Sequence, residues 1–136
     1  MKPLNIFFII LILNTLNVQA SVNTLACWIR NSTGPNGAAY CSFKTTHNDK
    51  LIKILTPVCK YTELHNHIHE GNIKRMRQIK YITISPKKLT ELKPGSLHIM
   101  LMQINTNLII GDSIPLKLIF EKSKNIELIL PIKNKK

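Results

Sequence analysis

Two histidines and two methionines in this chain are of the right types to hold a soft metal ion. His65, Met76, His98 and Met100 follow the pattern His-x10-Met-x21-His-x-Met. Thioether sulfur favours Cu(I) over hard cations, and imidazole is a good copper ligand. None of the four is a thiolate, so the set cannot be lost to disulfide formation outside the cytoplasm. The pattern therefore predicts a Cu(I) site made of two imidazoles and two thioethers.

The second pair of candidate ligands lies in a segment that is typical of a β-strand. Side chains alternate between the two faces of a strand. His98, Met100 and Met102 therefore project from one face of segment 97–102, and its aliphatic residues project from the other. The aliphatic face suits the core. The role of Met102 stays open between a ligand and a packing residue.

The first pair of candidate ligands flanks a predicted hairpin tip. Residues 70–72 have the Glu-Gly-Asn composition of a tight turn, in which Gly71 or Asn72 can take a positive φ. A hairpin here would return His65 and Met76 to the same end of the domain. We expect two hairpins to assemble the four side chains there.

Three further histidines have weaker claims. His67 and His69 alternate with His65, so the three would share one face of an extended segment. They could form an auxiliary Cu(II) or zinc site or simply a polar hairpin. The polar hairpin is favoured for His69, and the two interpretations are balanced for His67. His47 lies in a predicted turn and is expected to be a bystander.

Short strand-like segments, separated by turns about every ten residues, dominate the rest of the chain. This pattern predicts an all-β, antiparallel, Greek-key β-sandwich or barrel. The only candidate helix is weak and covers residues 86–92. The predicted strands are 38–44, 51–55, 61–65, 79–84, 97–102, 114–120 and 126–132.

The first twenty residues have the features of a secretory signal peptide. A basic start is followed by a short apolar run and small residues at the expected cleavage site. The run is too short for a typical membrane span, although an uncleaved anchor is the weaker alternative. We expect residues 21–136 to form a single exported domain that is not an integral membrane protein. No cysteine stands at the expected cleavage site, so a lipid anchor is not suggested.

The chain is strongly basic, with 19 Lys and Arg against 7 Asp and Glu and a net charge of +12. Nucleic-acid binding is nevertheless disfavoured, because the lysines are scattered and only 6% of residues are aromatic, which leaves few platforms for stacking bases. An acidic partner protein fits the charge better.

The three cysteines are Cys27, Cys41 and Cys59. An odd number in an exported chain allows at most one internal disulfide and leaves a free thiol. Buried free thiols are the expected state, and one disulfide is the alternative. No Cys-x-x-Cys spacing supports a redox enzyme.

Three function classes remain after these observations. Four neutral ligands leave the charge of the metal uncompensated, which suits a carrier better than a permanent store. Electron transfer by blue copper is less favoured because no cysteine follows Cys59, whereas that site needs two histidines and a cysteine. A metal-free interaction module with the same sandwich is the other alternative. Hydrolytic catalysis has no support, since no Gly-x-Ser-x-Gly motif is present.

The ligand pattern and its flanks resemble the periplasmic copper chaperone family PCuAC. The closest stretch runs from Leu92 through Met102, and the similarity extends over roughly residues 26–132. The resemblance implies a cupredoxin-like β-sandwich with Cu(I) bound by His65, Met76, His98 and Met100. It also implies a non-enzymatic, monomeric carrier in the periplasm. Its copper would go to an acceptor such as a cytochrome c oxidase copper-centre subunit or an assembly factor.

The chain departs from this family at several positions. His67 and His69 stand where the family often has methionines, and Ser96 replaces a frequent glycine. The tail 133–136 carries lysines in place of the His- and Met-rich extension that helps some members to hold Cu(II). A two-copper mode that uses such a tail is therefore not expected here.

Overall fold

The computed structural model describes residues 21–134, which form strands joined by turns. No helix in this part of the chain is long and apolar enough to cross a membrane. The predicted signal peptide, residues 1–20, lies outside the described residues. The strands are β1 (Val22–Arg30), β2 (Asn36–Thr45), β3 (Asp49–Leu55), β4 (Cys59–Glu70), β5 (Ile73–Ile79), β6 (Ile82–Ile84), β7 (Thr90–Glu91), β8 (His98–Ile104), β9 (Ser113–Phe120) and β10 (Ile126–Lys133).

The strands form one continuous sheet in the order β5-β4-β8-β2-β1-β10-β9-β3-β6, and β7 pairs with β2. The all-β sandwich or barrel predicted from the sequence is confirmed. One pair differs from a purely antiparallel arrangement. The first and last strands, β1 and β10, run parallel, with Ile29 opposite Ile132. Both side chains are almost fully buried, so this pair joins the two halves of the sheet through the core.

The core lies between the two halves of the sheet. Strand β9 alternates exposed and buried residues along its length, as a strand with one face in the core should. Phe43 of β2 meets Phe120 of β9 edge to face, with ring centroids 6.0 Å apart. A second, smaller cluster of Trp28, Ala38 and Tyr40 packs against Met100. This second cluster supports the face that carries the candidate metal ligands.

Two predictions about local structure need correction. Segment 79–84 is not one strand, because β5 ends at Ile79 and β6 begins at Ile82. These two strands lie at opposite ends of the strand order, so the chain must leave one edge of the sheet and join the other. The weak helix over 86–92 does not form. That segment contains a turn and the short strand β7.

The expectation of free thiols is wrong for two of the three cysteines. Cys27 and Cys41 form a disulfide, whereas Cys59 is free and buried. The cause is a β-bulge in β1. Leu25 pairs with Ser42 and Trp28 pairs with Tyr40, so the bulged strand places one extra residue opposite Cys41. The bulge brings Cys27 beside Cys41.

Candidate metal centre

The candidate ligands lie on three adjacent strands of the sheet, β5, β4 and β8. His65 of β4 is directly opposite His98 of β8, and His67 of β4 is directly opposite Met76 of β5. Directly opposed side chains share one face of a sheet. The structure therefore brings the four predicted residues to one face, and it adds His67 to them. The site extends across strands and not, as expected, between the ends of two hairpins.

The register of the β4–β5 hairpin decides which histidine meets Met76. The loop is only two residues long, because Glu70 pairs with Ile73. Gly71 has a φ of 62°, and a glycine with positive φ at the first loop position is typical of a type II′ turn. The predicted hairpin tip is thus present. Its short loop sets His67 opposite Met76, and it leaves His65 opposite Gln78.

His98 is the most buried of the histidines on this face, with 3% of its surface exposed. Its Nδ1 lies 2.7 Å from the carbonyl oxygen of Ser96. A carbonyl can only accept a hydrogen bond, so Nδ1 carries the hydrogen and donates it. The other nitrogen, Nε2, keeps its lone pair for a metal. This arrangement is common for metal-binding histidines.

The surroundings of His98 also keep its ring neutral. Burial lowers the pKa of His98 below its usual value of 6.5 and is the largest cause of the shift. The nearby charges of His65, His67 and Arg30 lower this pKa further. The hydrogen bond to Ser96 acts in the opposite direction. A metal needs the neutral imidazole, so these surroundings favour ligation.

His65 is held by a carboxylate. Its Nε2 lies 2.6 Å from Oε2 of Glu63, which is directly opposite Met100. An ionised carboxylate only accepts hydrogen bonds, so Nε2 is the donor, and in the neutral ring Nδ1 carries the lone pair. That Nδ1 is buried and has no hydrogen-bond partner among the described residues. A buried nitrogen without a partner is unusual in a folded protein.

His67 has the closest contact with His98. The two rings stack at 30° with centroids 5.2 Å apart, compared with 5.6 Å between His65 and His98. The Nδ1 atom of His67 is likewise buried without a hydrogen-bond partner. The sequence left the role of His67 open, and only the strand register could have placed it in this cluster.

A cavity of about 350 Å³ opens on this face. Its wall includes His67, Met76, His98 and Met100, together with Arg30 and Tyr40. His65 does not line the cavity. A larger cavity of about 640 Å³ is lined by β3, β9 and β10 residues such as Leu55 and Ile129. It contains no histidine or methionine, so it is not a candidate copper site.

The two thioethers differ in exposure. Met76 is 46% exposed on the edge strand β5, whereas Met100 packs against the Trp28 cluster. Met102 lies opposite Tyr61, outside the cavity wall. His69 is exposed near the hairpin tip, opposite Lys74. Among residues 21–134, no group of three or more His, Cys, Asp or Glu side chains is arranged to hold a metal.

The contacts of His47 do not form a catalytic relay. Ser123 Oγ lies 3.4 Å from Nε2 of His47, and Oδ2 of Asp49 lies 3.7 Å from the same nitrogen. A Ser-His-Asp relay uses the two ring nitrogens for its two partners. Here both partners approach one nitrogen, and the serine hydroxyl also hydrogen-bonds to Asp49. The group is structural.

Three solved structures of known proteins have a fold similar to that of this chain. The copper-bound PCuAC domain from PmoF2 is similar, with a TM-score of 0.71 and 16% identity over 84% of this chain and 93% of that domain. The apo PCuAC domain from PmoF1 has a TM-score of 0.71 and 18% identity over 84% and 94%. The Cu(I) form of DR1885 from Deinococcus radiodurans has a TM-score of 0.66 and 20% identity over 90% and 83%.

These identities are low, so the three structures establish the fold alone. No curated protein matches the sequence. The family model described as "Putative lipoprotein LpqE-like" matches residues 22–132, nearly all of the described chain. The chain therefore belongs to the LpqE-like family and has the fold of PCuAC domains.

Proposed function

We propose that this protein is an exported copper carrier that binds one Cu(I) ion on the β5-β4-β8 face. Met76, His98 and Met100 supply two thioethers and one imidazole. Strand β4 supplies the other imidazole, from His65 as the sequence spacing predicts, with His67 beside it. The observation that carries this proposal is the convergence of imidazoles and thioethers on one face, where two buried ring nitrogens have no hydrogen-bond partner within residues 21–134.

The donor set matches the chemistry of Cu(I). Thioether sulfur and neutral imidazole are both ligands that Cu(I) accepts. The hydrogen bond from His98 to Ser96 fixes the ring so that Nε2 is free. The hydrogen bond between His65 and Glu63 fixes the other ring in a similar way. Hydrogen bonds of this kind to metal-binding histidines typically raise metal affinity about 10–100-fold.

Partial exposure of the site suits a carrier more than an enzyme or a store. Met76 lies on an edge strand with nearly half of its surface exposed, so a second protein can reach this ligand directly. We propose that the acceptor is a copper-centre subunit of cytochrome c oxidase or one of its assembly factors. The carrier would act in the periplasm as a monomer, after removal of the signal peptide.

Electron transfer as a blue-copper protein is not supported by the cysteines. Cys27 and Cys41 are joined in a disulfide. The free Cys59 belongs to the main hydrophobic core, and burial raises the pKa of its thiol. A blue-copper site needs a cysteine thiolate among its ligands. No free thiol of the described residues lines the cavity on the β5-β4-β8 face.

The test is an anaerobic Cu(I) titration of the purified protein against a competing chelator. One tight equivalent is expected. Met76→Ile and Met100→Ile should each lower the affinity at least about tenfold, because even groups that only hydrogen-bond to a metal ligand contribute about that much. X-ray absorption on the loaded protein should show both sulfur and nitrogen neighbours of copper.

Met102→Ile is the matched control. Met102 lies on the same strand and face as Met100, but it does not line the cavity. This variant should bind Cu(I) like the wild type. The proposal fails if Met76→Ile and Met100→Ile keep wild-type affinity, or if protein from copper-fed cells carries no metal, as a metal-free interaction module would.

A further inference from the structure

Arg30 is a charged residue at the wall of the ligand cavity for which copper binding gives no role. It is the last residue of β1, and its guanidinium carbon lies 5.7 Å from the centre of the Tyr40 ring. Its Nε atom is buried and has no hydrogen-bond partner among the described residues. The other two arginines, Arg75 and Arg77, both form ion pairs with Glu70. Arg30 takes part in none of the ion pairs within residues 21–134.

The cavity beside Arg30 lacks negative charge. No Asp or Glu is among the described residues that line it. A second cation lies near the cavity without lining it, because Nζ of Lys74 is 2.9 Å from the position that a Cβ would take at the lining residue Gly95. A Cu(I) ion bound by neutral ligands would add another positive charge. An anion would therefore be attracted to this cavity.

The shape of the guanidinium indicates which anion fits best. Arginine presents a planar fork of donors that matches the two oxygens of a carboxylate. The guanidinium carbon lies over the Tyr40 ring, whose centroid is 6.5 Å from that of His98. A carboxylate at Arg30 would thus lie near the copper-binding face without using any of the proposed ligands.

We propose that Arg30 forms a carboxylate-binding subsite in the wall of this cavity. Its occupant is a carboxylate group, from either a small free acid or an Asp or Glu side chain of a partner protein. A partner carboxylate held there would fix the acceptor beside Met76 and His98 during copper transfer. That role rests on the proposed function, whereas anion binding by Arg30 does not.

The test uses copper-free protein and sodium acetate as the probe. The chain has three arginines, so the side-chain Nε–H signals in ¹⁵N NMR spectra can be assigned by single variants. Acetate replaces chloride at constant ionic strength. The Arg30 signal should shift and saturate with a dissociation constant on the order of 10 mM, the weak affinity expected of a single charge-assisted pair. The Arg75 and Arg77 signals should shift much less, because both guanidinium groups already form ion pairs with Glu70.

Two variants show whether the response belongs to Arg30. Arg30→Lys keeps the positive charge but removes the planar fork, so other signals of the cavity, such as those of Tyr40 and His98, should lose most of their acetate response. Arg77→Gln removes an equal charge outside the cavity and should leave the Arg30 response unchanged. Equal shifts of all three arginines, or no saturable shift of Arg30, would overturn the proposal.

A second arm identifies the source of the carboxylate. A short uncharged peptide with one central Asp and blocked ends is compared with its Asn analogue. A stronger Arg30 response to the Asp peptide than to acetate supports a partner side chain. A response to acetate but not to the Asp peptide supports a small free acid. Because copper is absent throughout, a negative result here leaves the copper titration unaffected, and the reverse also holds.

Discussion

Two groups of buried polar side chains in this molecule differ in how far the protein satisfies them. Asp49, at the start of β3, is 3% exposed. Its carboxylate accepts hydrogen bonds from the backbone N–H groups of Lys50, Lys122 and Ser123 and from the Ser123 hydroxyl. On the β5-β4-β8 face, the Nδ1 atoms of His65 and His67 are buried and accept no hydrogen bond from any described residue.

The difference separates structural from ligand-binding polar groups. Both oxygens of the Asp49 carboxylate already accept hydrogen bonds from the protein's own chain, so they are not available to a ligand. These hydrogen bonds fix the turn after β9 against β3. A buried ring nitrogen without a partner costs free energy in the folded state. Such an atom is explained if a ligand completes it. The contrast assigns Asp49 to stability and supports the proposal that the histidine face binds a ligand.

The largest expected effect on stability comes from breaking the Asp49 group. Asp49→Asn removes the charge and replaces one acceptor oxygen by a donor, which faces the N–H groups that Asp49 satisfied. We expect a loss of about 2–4 kcal/mol in the free energy of unfolding, measured by urea denaturation at pH 7. Cu(I) affinity should not change. Asp112→Asn makes the same change at an exposed position and should cost less than about 0.5 kcal/mol.

The same comparison predicts a pH dependence. Burial alone would raise the pKa of Asp49, but the hydrogen bonds from Ser123, Lys50 and Lys122 outweigh it, so the pKa lies below 3.8. The unfolded chain then takes up a proton at a higher pH than the folded chain does. The contribution of Asp49 is therefore fully present above pH 3.8, and it is lost as the pH falls through the folded pKa.

Unfolding of the wild type and of Asp49→Asn at a series of pH values measures this contribution. The difference in unfolding free energy between the two proteins should be constant from pH 7 to pH 5 and should shrink below pH 3.8. A difference that grows in acid would show that the pKa of Asp49 is raised and that its carboxylate is not the satisfied group described above.

The sequence alone predicts those features of the site that depend on how side chains alternate along a single strand. The faces of segment 97–102 and the hairpin tip near Gly71 follow from residue pattern alone. The neighbours across strands do not, because a register depends on the length of a loop and on bulges. A two-residue loop put His67 opposite Met76, and a bulge in β1 put Cys27 beside Cys41. The Glu-Gly-Asn pattern at 70–72 predicts the turn without fixing how many residues form the loop, and the bulge has no clear signal in the sequence.

Substitutions at the two β4 histidines should have the smallest effects on stability. His65→Gln and His67→Gln each remove a ring whose Nδ1 has no hydrogen-bond partner in the described part of the chain. We expect changes in unfolding free energy within about 1 kcal/mol, well below the effect of Asp49→Asn. A loss of several kcal/mol in either variant would mean that these rings are structural, and the contrast with Asp49 would disappear.

Copper affinity then decides how the two histidines share the site. Both lie beside His98, with centroids 5.6 and 5.2 Å away, so either imidazole is placed to replace the other. Each single variant should weaken Cu(I) binding by about 3–10-fold, and the double variant should lose more than the product of the two, since neighbouring groups are not additive. His69→Gln is the matched control on the same strand. If His65→Gln alone removes tight binding and His67→Gln has no effect, His65 is the ligand, as the sequence spacing predicts. The position of His67 opposite Met76 would then have no role in copper binding.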